Sequence, residues 1–275
     1  MLDPGPDLSF APVRNAAPQR LNAAQIAQYN QAGFVQPLSI FSNAEMAEIR
    51  AVVDRYMADL GPDGAYGINC YQARLTSLWD IATDPRIVDL VADLIGPNVL
   101  CWASAILSKP PHDPKAVPWH QDASFWALHP ARTVTVWLAI DDADDLNSAM
   151  RFIPGTHHQG ALPTTTTDGG AYVFHKGTAD AEGLGQPFTN SLKAGQISLH
   201  ADMLVHGSRA NTSNRRRCGL TLRYCPPEVR ITDDIWARGV EAILCRGRAG
   251  TWRTYPRPGN DDITQTTSPH VVGNN

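Results

Sequence analysis

Thr133-Val134-Thr135-Val136-Trp137-Leu138-Ala139-Ile140 is the stretch that decides the fold class. β-Branched and aromatic side chains fill it, and these favour a pleated, buried surface over a helix. Similar runs lie on either side. Val99 to Leu107 precedes it, and Met150 to Ile153, Gln196 to His200 and Gly219 to Tyr224 follow. Pro, Gly and Asn turns separate them. Short strands joined by polar turns predict a sandwich or barrel. Between Thr164 and Asn190 the chain is polar, with consecutive threonines from Thr164 to Thr167 and several glycines. This segment reads as a long loop, and loops of this kind are often lids.

Upstream of the first strand the texture is helical. Asn22 can cap a helix from Ala23 to Ala32, ended by Gly33. Ser42-Asn43-Ala44-Glu45 has capping-box spacing, and Met46, Ile49, Val53 and Met57 fall near one face of the helix it opens. Gly61 can end that helix. Asp84-Pro85 opens a third, with proline at the first helical position and Ile87, Leu90, Val91 and Leu94 on the apolar side. Residues 1–20 carry Pro4, Pro6, Pro12 and Pro18 and read as an extended arm. The expectation is one domain over 1–275, mainly β with flanking α-helices. Its parts are an arm at 1–20, a helical part at 21–96, a β core at 97–230 and a C-terminal extension at 231–275.

A chain of 275 residues, 43% hydrophobic and 18% charged, has the texture of a globular protein with a sizeable core. Its net charge of −4 and pI near 6.1 lack the basic surplus of nucleic-acid binders. Arg215-Arg216-Arg217 is too short to alter that. Cys70, Cys101, Cys218, Cys225 and Cys245 are scattered, without a C-x-x-C pair, which argues against a disulfide framework or structural zinc. The start, MLDPGPDLSFAPVRN, lacks a basic region followed by an apolar run, and no stretch reaches the length of a membrane span. These features predict a soluble, cytoplasmic protein with neither nucleic acid nor membrane as partner.

Pro118-Trp119-His120-Gln121-Asp122 contains H-x-D. On a strand, residues two apart point the same way, so His120 and Asp122 can share a metal ion. A second histidine is needed from elsewhere. His206, 86 residues later (206 − 120), follows the apolar Met203-Leu204-Val205. Two histidines and one carboxylate make the facial triad of non-haem Fe(II) oxygenases. Three ligands on one face leave three positions open for a bidentate 2-oxo acid and O₂. His200 is the competing histidine, but no Gly-Ser follows it. Asp202 is a competing carboxylate.

PWHQD, TVWLAIDDAD, RFIPGTH, and HGSRANTSNRRR followed by GLTLRY occur in that order. The series resembles the phytanoyl-CoA dioxygenase family of 2-oxoglutarate-dependent oxygenases. The likeness is specific from Leu107 to Pro226 and looser on both flanks. It implies a double-stranded β-helix, the cupin-like jelly roll. It also implies that His120, Asp122 and His206 hold Fe(II). Arg217, eleven residues past His206, would bind the far carboxylate of 2-oxoglutarate, assisted by Ser208. Trp137 falls where the family has an aromatic residue near the co-substrate, and Lys109 in the Ser-Lys-Pro-Pro run is a candidate contact. The implied reaction oxidises a C–H bond with O₂ and 2-oxoglutarate as co-substrates, hydroxylation being the default. Related halogenases carry Ala or Gly in place of the carboxylate, so Asp122 implies no halide site.

Other readings of the same residues stay open at this point. Arg215, Arg216 and Arg223 compete with Arg217. Trp137 is as well explained as a core aromatic. His157-His158 and the acidic run Asp141, Asp142, Asp144 and Asp145 read as structural. A non-catalytic cupin-like metal- or ligand-binding protein would keep the jelly roll and lack the 2-oxoglutarate arginine. The motifs do not select a substrate. A small metabolite or natural-product intermediate is expected, in a pocket lined by 164–190 and by helices near Tyr66 to Trp79.

Overall fold

The computed structural model describes residues 8–266. Helix α1 (Ala23–Ala32) starts at a capping box in which Asn22 accepts from the Gln25 amide and Gln25 accepts from the Asn22 amide. It stops at Gly33, whose φ of 86° is the left-handed cap conformation. Strand β1 (Phe34–Ser39) comes next. Helix α2 (Asn43–Asp59) is opened by the Ser42–Glu45 capping box. Helices α3 (Thr76–Ala82) and α4 (Pro85–Ile95) follow, α4 capped by Asp84 and led by Pro85. The arm from residue 8 to 20 has no regular structure. Buried Asp93 of α4 anchors it by accepting from the amides of Gln19, Arg20 and Leu21.

The remaining strands are β2 (Val99–Lys109), β3 (Val117–His120), β4 (Leu128–His129), β5 (Val134–Ala139), β6 (Arg151–Phe152), β7 (Thr164–Thr166) and β8 (Lys176–Thr178). Then come β9 (Phe188–Thr189), β10 (Gln196–Ala201), β11 (His206–Ser208), β12 (Arg217–Cys225), β13 (Arg230–Ile231), a short helix α5 (Asp234–Gly239) and β14 (Ile243–Arg246). Six strands form the larger sheet in the order β1-β10-β5-β12-β2-β14, and four form the smaller in the order β3-β11-β6-β9. All their pairings are antiparallel. This is the jelly roll.

Alternation along the strands builds three layers. On β5, Val134, Val136 and Leu138 join the core formed with the helices, as do Ile197 and Leu199 of β10 and Leu220, Leu222 and Tyr224 of β12. The intervening Thr135, Trp137, His200, Arg217, Thr221 and Arg223 turn to the other face and line a cavity between the sheets. Every residue of β5 is therefore buried, and its apolar run lacks a polar face.

Two parts of the architecture depart from the sequence reading. The stretch expected to be helical contains β1, and the C-terminal extension contains β14. These strands form the two edges of the larger sheet, so the sheet draws on residues outside 97–230. Pro37 hid β1. It sits where the β1–β10 register shifts, at a sheet edge that tolerates a residue without an N–H. The segment 164–190 is also more regular than a loop. It holds the β7–β8 hairpin, a 3₁₀ turn at Ala181–Leu184 and β9. Residues 1–7 of the arm and 267–275 of the extension lie outside the described residues. Among the described residues, all five cysteines are free, and no helix is long and apolar enough to cross a membrane.

Candidate active site between the two sheets

His120 ends β3 and His206 begins β11, and antiparallel pairing sets them directly opposite one another. Their ring centroids are 4.1 Å apart. Close approach of the strands depends on Gly207. A Cβ there would meet the Val117 carbonyl oxygen at 2.9 Å and the Pro118 carbonyl oxygen at 3.1 Å. Asp122 opens a 3₁₀ turn after β3, with its Oδ1 at 3.6 Å from His120 Nε2. One donor atom from each of these three buried residues lies within 4.8 Å of the others.

The hydrogen bonds fix which nitrogen faces the centre. His120 Nδ1 donates to the Pro118 carbonyl at 2.9 Å, and His206 Nδ1 donates to the Leu204 carbonyl at 2.9 Å. A carbonyl only accepts, so a proton sits on each Nδ1, and Nε2 is the nitrogen left to meet a metal ion. Backbone carbonyls orient metal-binding imidazoles in this way. Burial, then His120, pushes His206 well below the ordinary histidine range and keeps it neutral. Burial alone would raise the Asp122 carboxyl. The Arg223 charge opposes this first, followed by the His120 hydrogen bond and the imidazoles, and holds Asp122 below the usual carboxylate range. Thr135 Oγ1 donates to its second oxygen at 3.3 Å. Two imidazoles that turn Nε2 to the centre and one carboxylate fit Fe(II).

The competing ligands stand apart. His200 lines the same cavity but is not one of the three clustered donors. Burial lowers its pKa to about 4, and neither ring nitrogen has a hydrogen-bond partner. Asp202 Oδ2 is occupied by the Thr133 amide at 2.8 Å. His157 and His158 lie elsewhere, both against the Asn30 carbonyl at the end of α1.

The arginine register follows from ion pairing. Arg215 is held by Asp144 at 2.7 Å, and Arg216 by Asp141 at 2.7 Å and by Asp54. The acidic run after β5 is thus largely used up in surface pairs. Arg217 turns inward and is buried, with only 3% of its surface exposed. It donates to the Ser148 carbonyl at 3.0 Å and to Ser208 Oγ at 3.3 Å, and Trp137 lies beneath it at 5.8 Å. No carboxylate of the protein pairs with it among the described residues. A buried guanidinium in that state suits a carboxylate-bearing ligand. Lys109 is its cross-strand partner. The Lys109 ammonium is fully buried, donates to the Lys115 and Arg209 carbonyls, and is pushed down to about 7 by burial and then by Arg217. It ties two loops together behind Arg217 and does not line the cavity.

Beyond the three donors a second cavity of about 140 Å³ opens outward. Tyr66, Asn69 and Cys70 line it, as do Val173 to Lys176. Residues 71–79 do not. A larger cleft of about 580 Å³ lies under the N-terminal arm and touches none of the three donors. Phe125, Trp126 and His200 are wall residues that the sequence reading missed, whereas Phe174 belongs to the 164–190 segment expected there. Of the four only His200 lies on a strand, where alternation with core Leu199 marks the inner face; Phe125, Trp126 and Phe174 lie in turns and loops that carry no such pattern.

Trp137 depends on Gly219 of the neighbouring strand. A Cβ on Gly219 would lie 2.2 Å from the Trp137 ring, which is only 2% exposed. Gly219→Ala is expected to lower stability by about 1–3 kcal/mol through overpacking and to weaken 2-oxoglutarate binding as the ring shifts. A denaturant midpoint and a co-substrate titration read the two effects. Lost stability with intact binding would make Trp137 a core aromatic alone.

A jelly roll with this donor set and an inward arginine defines a class, the non-haem iron oxygenases that use 2-oxoglutarate. The comparisons agree. The family model "Phytanoyl-CoA dioxygenase (PhyH)" matches residues 29–219, well over half of the chain, and the chain belongs to that family. It is 28% identical over 160 residues to L-proline trans-4-hydroxylase of Streptomyces griseoviridis, covering 51% of this chain and 59% of that protein. It is 27% identical over 228 residues to a probable alpha-ketoglutarate-dependent hypophosphite dioxygenase of Stutzerimonas stutzeri, covering 74% of this chain and 78% of the other. Among solved structures, the apo form of the non-heme monooxygenase ThoJ superposes with a TM-score of 0.73 at 27% identity, covering 86% of this chain and 88% of that one.

Proposed function

We propose that this chain is an Fe(II)- and 2-oxoglutarate-dependent dioxygenase that hydroxylates a C–H bond of a small molecule. One oxygen atom of O₂ enters the product and the other enters succinate, with release of CO₂. His120, Asp122 and His206 hold the iron. Arg217 and Ser208 grip the far carboxylate of 2-oxoglutarate, and Trp137 packs along it. Lys109 adds positive potential behind Arg217 and fixes the loops around it.

When bound, the iron supplies the O₂ chemistry, and its reactivity belongs to the metal. The protein's own tasks are to bind, orient and exclude water. Asp122 stays ionised and fills the position that a halide would need. The aromatic walls of the outer cavity keep the reacting C–H bond away from solvent.

One observation carries this reading. Two imidazoles with committed Nδ1 atoms face a carboxylate in the same buried space as a guanidinium without a carboxylate partner. A protein that only held a metal would leave that guanidinium without a ligand. The test is anaerobic addition of Fe(II) and then 2-oxoglutarate. A visible charge-transfer band is expected, followed by succinate release when O₂ and a substrate from a small-metabolite screen are admitted. A protein that forms no band and releases no succinate is not this oxygenase.

A further inference from the structure

Arg223 lies on the inner face of β12, six residues beyond Arg217. At a rise of about 3.3 Å per residue, the two backbones are roughly 20 Å apart. Their neighbours differ accordingly. Arg217 sits with Ser208 and Trp137. Arg223 sits with Trp126, 5.1 Å from its ring centre, and lines both the cavity around the three donors and the outer cavity.

Arg223 is half-buried, and its Nε is buried with no hydrogen-bond partner. It forms no ion pair among the described residues. Several half-buried arginines of this chain meet acids, as Arg74 meets Glu241 at 2.6 Å and Arg216 meets Asp141 at 2.7 Å. Arg151, over Trp119, shares the unpartnered Nε of Arg223, but it does not line the cavities around the three donors. Among the described residues, the only acidic side chain lining the outer cavity is Asp122, and Lys176 adds a second cation to that wall. Under the proposed function, iron(II), Asp122, the 2-oxoglutarate dianion and Arg217 together carry no net charge. Arg223 is left without a counter-charge, facing walls made by Phe125, Trp126 and Phe174. A guanidinium fork meets a carboxylate with two parallel hydrogen bonds, and stacking on Trp126 leaves its edge free to do so.

We infer that the substrate is a carboxylic acid, held by Arg223 through its carboxylate with its apolar body against the aromatic wall. This rests on the proposed oxygenase function and adds the class of substrate. Arg223 is then a specificity-determining residue.

The experiment uses the full chain with Fe(II) and saturating 2-oxoglutarate, without O₂, so that acids do not occupy the Arg217 end. A panel of small carboxylic acids with aromatic, alicyclic and aliphatic bodies is titrated by calorimetry, each beside its primary amide. At least one acid is expected to bind at least about 30-fold more tightly than its amide, the size of effect set by a desolvated charge pair. Arg223→Gln should erase that preference and Arg223→Lys should keep part of it. The inference is overturned if no acid out-binds its amide, including the case where nothing binds, or if the preference survives in Arg223→Gln. If Arg223→Gln no longer folds, Arg223→Lys decides, because a preference undiminished there also overturns it. The charge-transfer band separates the two levels. Without the band the oxygenase reading fails. With the band and without acid preference, only the substrate class fails.

Discussion

Replacing His206 by alanine is expected to weaken Fe(II) binding more than about 100-fold, since losing even an outer partner of a metal ligand typically costs 10–100-fold. His206 stands directly across from His120, and its Nε2 is free because Nδ1 is tied to Leu204. Alanine leaves one imidazole and one carboxylate, too few to define a face of an octahedron. Turnover should vanish with the metal. The fold should survive, because β11 is held through backbone pairing with β3 and β6. Metal content after dialysis, succinate release and circular dichroism read the three outcomes separately. Full activity in His206→Ala together with loss in His200→Ala would make His200 the distal ligand.

Arg217→Gln is expected to raise the dissociation constant for 2-oxoglutarate at least about 30-fold, from the loss of a charge-assisted pair in a desolvated site. The same change should leave the apo protein as stable as before, or more so. It removes a buried charge that has no carboxylate partner and that presses on Lys109. Wild type should gain thermal stability on addition of 2-oxoglutarate, as any ligand of the native state confers, and the variant should not. Thermal melts with and without 2-oxoglutarate test both halves. An effect carried by Arg215 or Arg216 instead would reassign the grip, even though Asp144 and Asp141 hold those side chains at the surface.

Much of the local structure was legible because it is written locally. Asn22, Ser42 and Asp84 mark helix starts through side chains that satisfy nearby amides. Thr133 to Ile140 marks a strand through branched residues. Strand β1 was not legible, because Pro37 interrupts its pattern and its partner β10 lies far along the chain. The site divides in the same way. The three clustered donors and the inward Arg217 could be named from motif order. The facing of His206 and His120 depends on a bulged antiparallel pairing at Pro118, which no local pattern states. That Arg223 lines the cavity beside Asp122 and yet forms no ion pair among the described residues is a property of the folded arrangement alone.

The two edge strands of the larger sheet also bear on how the chain reaches this state. Phe34 pairs with His200, and Ile243 pairs with Cys101. Both seams join residues that are remote in sequence, so loop-closure entropy must be overcome before either contact is rewarded. A topology of this kind folds slowly compared with a helical bundle. As the chain is synthesised, β1 has to wait for β10, and the start of β2 stays uncovered until β14 emerges. Val99 to Cys101, apolar and completely buried in the finished molecule, are exposed throughout that interval. Such an edge is a template for pairing with another chain.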